Sequence, residues 1–193
     1  MERNNVMYRT MQSVLTTRDG ETNEAPVIEG YFAVFDSDYD MGYGMSESVA
    51  PGAFSETLAG DVRALIDHDT RLVLGRTTAH TLELREDSHG LWGKIYINPK
   101  DGEAMNLYER VKRGDVSQCS FGFEILSEET TFPADGEIHW RITKVKLYEV
   151  SCCTYPAYEE TGISARKKDR EQIEKRKSEA WKSALLKKLK GEK

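Results

Sequence analysis

The stretch Ser117-Gln118-Cys119-Ser120-Phe121-Gly122-Phe123-Glu124-Ile125 alternates with a period of two. Cys119, Phe121, Phe123 and Ile125 fall on one side of an extended chain, and Ser120, Gly122 and Glu124 on the other. The pattern predicts a β-strand with one apolar face. On the opposite face Ser120 stands beside a glycine, which has no Cβ and leaves room for another backbone. Such a serine is either a nucleophile facing a bound peptide or an ordinary solvated hydroxyl, and the strand alone does not choose between them.

Immediately upstream the period changes. Ala104, Leu107, Tyr108 and Val111 recur at helical spacing. Asn98 is the expected N-cap, Pro99 suits the first helical position, and Asp101 and Glu103 suit the positive end. Lys112 and Arg113 followed by Gly114 read as the C-terminus. Further out, strands are expected within 11–15, 28–35, 62–68, 72–77, 81–85, 91–97 and from 138 to about 155, with a short helix over 52–58. Segments 17–26 and 36–44 read as loops, 87–90 as a hairpin turn and 133–136 as a turn. Seven or eight strands, one well-placed helix and short connections predict a mainly β (α+β) fold, an antiparallel or mixed β-barrel with peripheral helices. The expected organisation is an N-terminal segment 1–27, a barrel domain 28–163 and a basic amphipathic helical tail 164–193. The tail's stripe would consist of Ile173, Ala180, Trp181, Ala184, Leu185 and Leu189.

The 193 residues are 38% hydrophobic and 31% charged, polar enough to place part of the chain outside the core. Three cysteines, two of them adjacent at Cys152 and Cys153, make no disulfide framework and suit a reducing compartment. No CxxC or His/Cys cluster occurs, so no metal or cofactor is expected. The aspartates of 36–44 lack a glutamate at the twelfth position and have a misplaced glycine, which argues against a calcium loop. The first residues carry no signal-peptide core and no apolar run spans a bilayer, so the expectation is a soluble, cytoplasmically made protein. The net charge of −6 hides an asymmetry. From Ala165 onward twelve Lys and Arg face five Asp and Glu, a net of +7, which leaves −13 on the rest. An acidic body with a basic tail speaks to partners rather than to fold.

Serine hydrolysis requires a base for the nucleophile and a group that orients the base. Of His68, His80, His89 and His139, His68 continues the apolar row Val62, Ala64, Ile66 at a strand end, between Asp67 and Asp69. It reads as a satisfied edge histidine or as a base, and pattern does not establish the geometry that would decide. Glu149 falls on the face of Val145 and Leu147, where a carboxylate must find a partner. That partner is a histidine which Glu149 orients, or a basic residue such as Arg141. No G-x-S-x-G elbow is present, which disfavours an α/β-hydrolase.

Three stretches together resemble the prohead maturation proteases of tailed bacteriophages. They are Ala64-Leu65-Ile66-Asp67-His68-Asp69 with Leu74-Gly75-Arg76-Thr77; Cys119-Ser120-Phe121-Gly122-Phe123; and Leu147-Tyr148-Glu149-Val150-Ser151 with Thr154-Tyr155-Pro156-Ala157. The segments Gly30-Tyr31-Phe32-Ala33-Val34-Phe35 and Pro51-Gly52-Ala53-Phe54 fit as well. The resemblance implies a barrel similar to the herpesvirus assembly proteases. It also implies a serine endopeptidase, packaged in the immature capsid within the host cytoplasm, that removes scaffolding segments from the major capsid protein and cuts itself. By position it implies His68 as base, Ser120 as nucleophile and Glu149 as third member, with a homodimer by analogy. Where the family often has a small residue and methionine before the serine, this chain has Gln118-Cys119. Cys119 should point to the other face, and Ser117 is the second choice of nucleophile. Oxyanion donors would be backbone N–H groups near Gly122, Arg76 or Arg141.

The tail reads as a solvated helix or as a segment docking on scaffold or capsid protein. Trp181 and Leu185 favour a protein partner over nucleic acid, which Lys187, Lys188 and Lys190 keep only as a lesser reading. The alternatives to a protease are a non-catalytic, scaffold-binding assembly barrel and a barrel that encloses a small ligand.

Overall fold

The computed structural model describes residues 6–12, 15–20, 25–134, 136–155 and 160–189. The chain divides into two compact units, Met1–Tyr158 and Glu159–Lys193. The first holds eleven strands among its described residues: β1 (Met7–Gln12), β2 (Thr16–Arg18), β3 (Val27–Val34), β4 (Tyr39–Gly42), β5 (Met45–Val49), β6 (Arg63–Ile66), β7 (Asp69–Arg76), β8 (Leu82–Glu86), β9 (Gly90–Tyr96), β10 (Gln118–Thr131) and β11 (Ile138–Cys153). Helix α1 (Gly102–Arg113) precedes β10, and the second unit is one helix, α2 (Glu160–Leu189). Segments expected at 13–14, 21–24 and 156–159, and the side chains of Ala180, Ala184, Leu185 and Leu189 in the expected stripe, lie outside the described residues.

The strands form two sheets, not a closed barrel. A mixed seven-stranded sheet runs β1-β10-β11-β5-β4, with β6 also on β11 and β7 on β6, and a four-stranded antiparallel sheet runs β2-β3-β9-β8. The long strand β11 explains the departure from a barrel. Its first half takes β5 as a parallel neighbour at Ile138–Ile142, and its second half takes β6, again parallel, at Glu149–Cys152. Two different strands therefore share one edge of β11, and the sheet branches there. The expectation of strand 11–15 corresponds to β1, which lies earlier. The segment expected as a loop at 17–26 overlaps the short strand β2, and the one at 36–44 contains β4.

The core between the sheets is apolar in the way the periods require. Phe32, Leu91, Ile95, Phe54, Phe121 and Phe123 are buried, and Phe121 stacks on Phe123 with centroids 4.7 Å apart. On α1 the buried residues are Ala104, Leu107, Tyr108 and Val111, the expected stripe. Burying side chains of this size contributes roughly 2 kcal/mol each. The helix starts later than expected. Asp101, not Asn98, accepts bonds from Glu103 N and Ala104 N, while Asn98 accepts one from Lys100 N. Pro99 therefore precedes the helix rather than opening it. At the other end Gly114 takes φ 87°, where a glycine closes a helix without a Cβ penalty.

The helix expected over 52–58 is instead a chain of turns, with Ser55 N donating to Gly52 O and Thr57 N to Phe54 O. Gly52 at φ 87° breaks the helical path at its start.

Candidate active site

The site is assembled at one end of β11, on the face that carries Glu149, Ser151 and Cys153. Register pairs these three with Gly122, Ser120 and Gln118 of β10. Directly opposite residues in an antiparallel pair project to the same side, so Ser120 and Glu149 share a face. Its other side is the Phe121 and Phe123 core.

His68 reaches this face from a turn, not from a strand. Ile66 pairs with Asp69, leaving Asp67 and His68 as a two-residue hairpin between β6 and β7. Both have positive φ, 46° and 61°, the sign pattern of a type I′ turn. The strand expected to run through His68 therefore ends two residues earlier. Asparagine, aspartate and glycine tolerate this conformation, whereas for most residues it costs on the order of 1–3 kcal/mol. The turn is held by its surroundings. Asp67 N donates to Cys152 O at 3.1 Å, and the Asp67 carboxylate accepts bonds from Thr154 N at 2.7 Å and Thr154 Oγ1 at 3.0 Å.

That turn delivers the imidazole to Glu149. His68 Nδ1 lies 2.8 Å from Glu149 Oε1, with side chains 17% and 8% exposed. A carboxylate oxygen accepts here, so Nδ1 is the ring nitrogen that donates to Glu149, and Nε2 points away from it. The second carboxylate oxygen accepts from Ser151 Oγ at 2.5 Å, and Ser151 Oγ accepts from His68 N at 3.3 Å. Ser151 thus ties the carboxylate to the turn. Of the two partners that sequence left open for Glu149, the structure provides His68. Arg141 instead binds Asp36 at 2.8 Å.

Gly122 makes the arrangement fit. A Cβ there would collide with Glu149 Oε1 and meet Tyr8 Cε1 at 3.0 Å. The space beside Ser120 admits a carboxylate and a tyrosine ring rather than a backbone. The Tyr8 ring also packs on His68, centroids 4.4 Å apart. Burial pushes its phenol above the ordinary value, and the charge of Glu149 adds to that.

Ser120 is placed on the right face but is not joined to His68. It is fully buried, and among the described residues its hydroxyl makes one hydrogen bond, donated to Arg9 O of β1 at 2.9 Å. The atom near His68 Nε2 is Cys153 Sγ, at 3.7 Å. Burial drives the Cys153 thiol far above its usual value, with Asp67, Cys152 and Glu149 pushing the same way. A thiol held neutral is a poor nucleophile, so proximity does not make Cys153 the attacking group. Cys119 is buried on the opposite, core-facing side with Phe121 and Phe123.

The other histidines are used elsewhere. His139 places Nδ1 at 2.8 Å from Ser46 Oγ and Nε2 at 2.9 Å from Ser48 Oγ. His80 closes a short 3-10 turn at φ 56°, and His89 packs edge-on against Tyr31. Arg76 is paired with Asp61 through bonds of 2.6 and 2.7 Å. Among the described residues no group of three or more His, Cys, Asp or Glu is arranged to hold a metal ion, and no helix is long and apolar enough to cross a membrane.

Sequence gives no site role to Tyr8, Ser151 or Cys153, although Ser151 stands in the third motif and Cys153 is one of the adjacent cysteines. A signal did exist for Ser151 and Cys153, since both follow Glu149 at a spacing of two along one strand face. Tyr8 had none, because its place depends on β1 crossing more than a hundred residues to pair with β10.

A family model described as "Caudovirus prohead serine protease" matches residues 13–176. The prohead protease of Enterobacteria phage HK97 is 32% identical over 158 residues, covering 78% of this chain and 63% of that protein. The chain thus spans less than two thirds of the length of that relative. Among solved structures, the bacteriophage T4 capsid assembly protease aligns over 77% of this chain and 99% of its own, at 11% identity and a TM-score of 0.44.

Proposed function

Because the chain belongs to the caudovirus prohead serine protease family, we propose that it is a serine endopeptidase acting in capsid maturation. Its substrates are the scaffolding segment of the major capsid protein and its own chain, and it works inside the prohead in the host cytoplasm, as a homodimer. The observation that carries this reading is the His68 Nδ1–Glu149 Oε1 bond of 2.8 Å on the sheet face that also bears Ser120.

Ser120 is the nucleophile, His68 the base and Glu149 the orienting carboxylate. As Ser120 Oγ bonds to the scissile carbonyl carbon, its proton passes to His68 Nε2. That proton then goes to the departing amine as the C–N bond breaks. Water attacks the resulting ester, gives a proton to Nε2, and Ser120 leaves with it. Glu149 keeps Nδ1 protonated throughout and offsets the charge of the transient imidazolium. Arg76 and Arg141 are paired with aspartates, and the oxyanion is assigned to backbone N–H groups near Gly122.

Co-expression with the cognate capsid protein tests the proposal. The unaltered chain should shorten the capsid protein and itself, and Ser120→Ala should lower cleavage by at least about 10³-fold. Cleavage at the normal rate by Ser120→Ala would refute the nucleophile. A second reading, a non-catalytic assembly protein that binds scaffold, draws on the Ser120 hydroxyl being bonded to Arg9 O. It predicts no shortening by either form and intact co-purification with capsid protein.

A further inference from the structure

We propose that β1 occupies the peptide groove of the enzyme and that Glu47, at the base of that groove, selects a basic side chain in the peptide that replaces it. The inference rests on the protease reading and extends it to the substrate's chemistry.

Strand β1 is antiparallel to β10 through six residue pairs, from Met7 opposite Phe123 to Gln12 opposite Gln118. It is an edge strand of its sheet and shields the nucleophile's edge of β10. A peptide that adds to a sheet edge makes this same ladder, main chain giving affinity and alternate side chains giving selectivity. Two contacts make β1 more than a neutral edge. Arg9 O takes the Ser120 hydroxyl that the reaction requires, and the Tyr8 ring covers His68. While β1 is seated, the serine is committed and the imidazole is capped.

On the opposite side of β1, Arg9 enters the fold. Its Nε donates to Glu47 Oε1 at 2.6 Å and its second guanidinium arm to Glu47 Oε2 at 3.0 Å, a bidentate pair with side chains 8% and 2% exposed. The guanidinium carbon lies 5.8 Å from the Phe123 ring centroid. A cleft of about 320 Å³, lined by Arg9, Val34, Tyr39, Glu47, Val49 and Phe121, adjoins the pair. Removing one partner of a buried ion pair leaves a desolvated charge, which is strongly unfavourable. Any peptide that displaces β1 must therefore bring its own cation to Glu47. The geometry asks for an extended peptide with Arg or Lys opposite Phe121, one residue from the position facing Ser120.

The test uses the full chain carrying Arg9→Gln, which keeps β1 tethered but removes its cation. A fluorophosphonate probe reads access to Ser120, and fluorescence anisotropy reads binding of a labelled peptide with the sequence of residues 6–12. Labelling of Ser120 should rise at least about 10-fold over the unaltered chain, since a tethered strand competes at millimolar effective concentration. The Arg-bearing peptide should bind and suppress labelling, and the same peptide with Glu in that place should bind at least about 10-fold more weakly. Adding Glu47→Lys should reverse the preference. Equal binding of the two peptides, or labelling unchanged by Arg9→Gln, overturns the inference while leaving the protease reading intact. Charge-selective binding without labelling in any form refutes the protease reading and keeps the groove. Should Arg9→Gln not fold, hydrogen exchange on the unaltered chain decides. Amides bridging β1 and β10 should open at least about 10-fold more often than those bridging β10 and β11, and joint exchange would make β1 a fixed strand.

Discussion

Two histidines in this molecule sit beside serines, and their rings are bonded in different ways. His139, on β11, has both ring nitrogens bonded to hydroxyls, Ser46 at 2.8 Å and Ser48 at 2.9 Å, with Asp38 Oδ1 3.9 Å from Nδ1. His68, on a hairpin of two positive-φ residues, has a carboxylate at Nδ1 and, among the described residues, a neutral thiol at 3.7 Å from Nε2. The first is a polar knot between β5 and β11 whose bonding capacity is used up. The second has a ring oriented by a carboxylate, with a weak thiol contact at Nε2 in place of a hydroxyl, which is closer to the arrangement a general base needs. Position on a strand satisfies a histidine, and a strained turn can aim one.

The largest effect separates the pair directly. His68→Gln should lower cleavage of capsid protein at least about 10³-fold, and His139→Gln should leave it within about three-fold while lowering stability by about 1 kcal/mol for the broken hydroxyl bonds. Denaturant midpoints together with cleavage rates check both halves. Equal activity losses would erase the distinction. Glu149→Gln comes next. It keeps the volume but can present an NH₂ to Nδ1, favouring the wrong tautomer, so cleavage should fall about 10²- to 10⁴-fold with little change in substrate affinity. An unchanged rate would reduce Glu149 to a structural partner. Gly122→Ala should follow, at about 10- to 100-fold, because the new methyl displaces the Glu149 carboxylate from His68. An equally slow Gly75→Ala control would show that the loss is merely one of folding.

The smallest effect is on pH stability and concerns the thiols. Burial raises the Cys152 and Cys153 thiols in the folded state. In the unfolded chain they ionise near their ordinary value of about 8.5. The folded form then holds more protons above that pH, so stability is full below about pH 8.5 and falls as pH rises further. Urea midpoints should be flat from pH 6 to 8 and decline by pH 10. The decline should be shallower in Cys153→Ala compared with its own value at pH 7. A midpoint that rises above pH 8.5 would contradict the assignment.

How much of this was legible in the chain varies with the range of the interaction. The α1 stripe and its Gly114 terminus follow from i, i+3 and i+4 spacing, and the core face of β10 from a period of two. These are local rules that neighbouring residues enforce on each other. The helix starts three residues beyond the expected position because Asn98 and Asp101 are both competent caps, and it is the Asp101 side chain that accepts from Glu103 N and Ala104 N. Ser120 was expected to face solvent or a peptide. It is buried because β1, from the far end of the chain, closes over it.

Sequence by itself thus determined the mainly β character, the apolar faces, and three polar residues of note: a carboxylate that needed a partner, an imidazole at a strand end and a hydroxyl on a polar strand face. Tertiary structure alone decided which partners they found. It branched the sheet at β11 instead of closing a barrel, turned His68 onto Glu149 through two positive φ angles, and gave the Ser120 hydroxyl to Arg9. The reason is one of range. Periodicity constrains the direction in which a side chain points, but a hydrogen bond also requires the distance between segments 81 or 111 residues apart in the chain. Only the packed sheets set that distance.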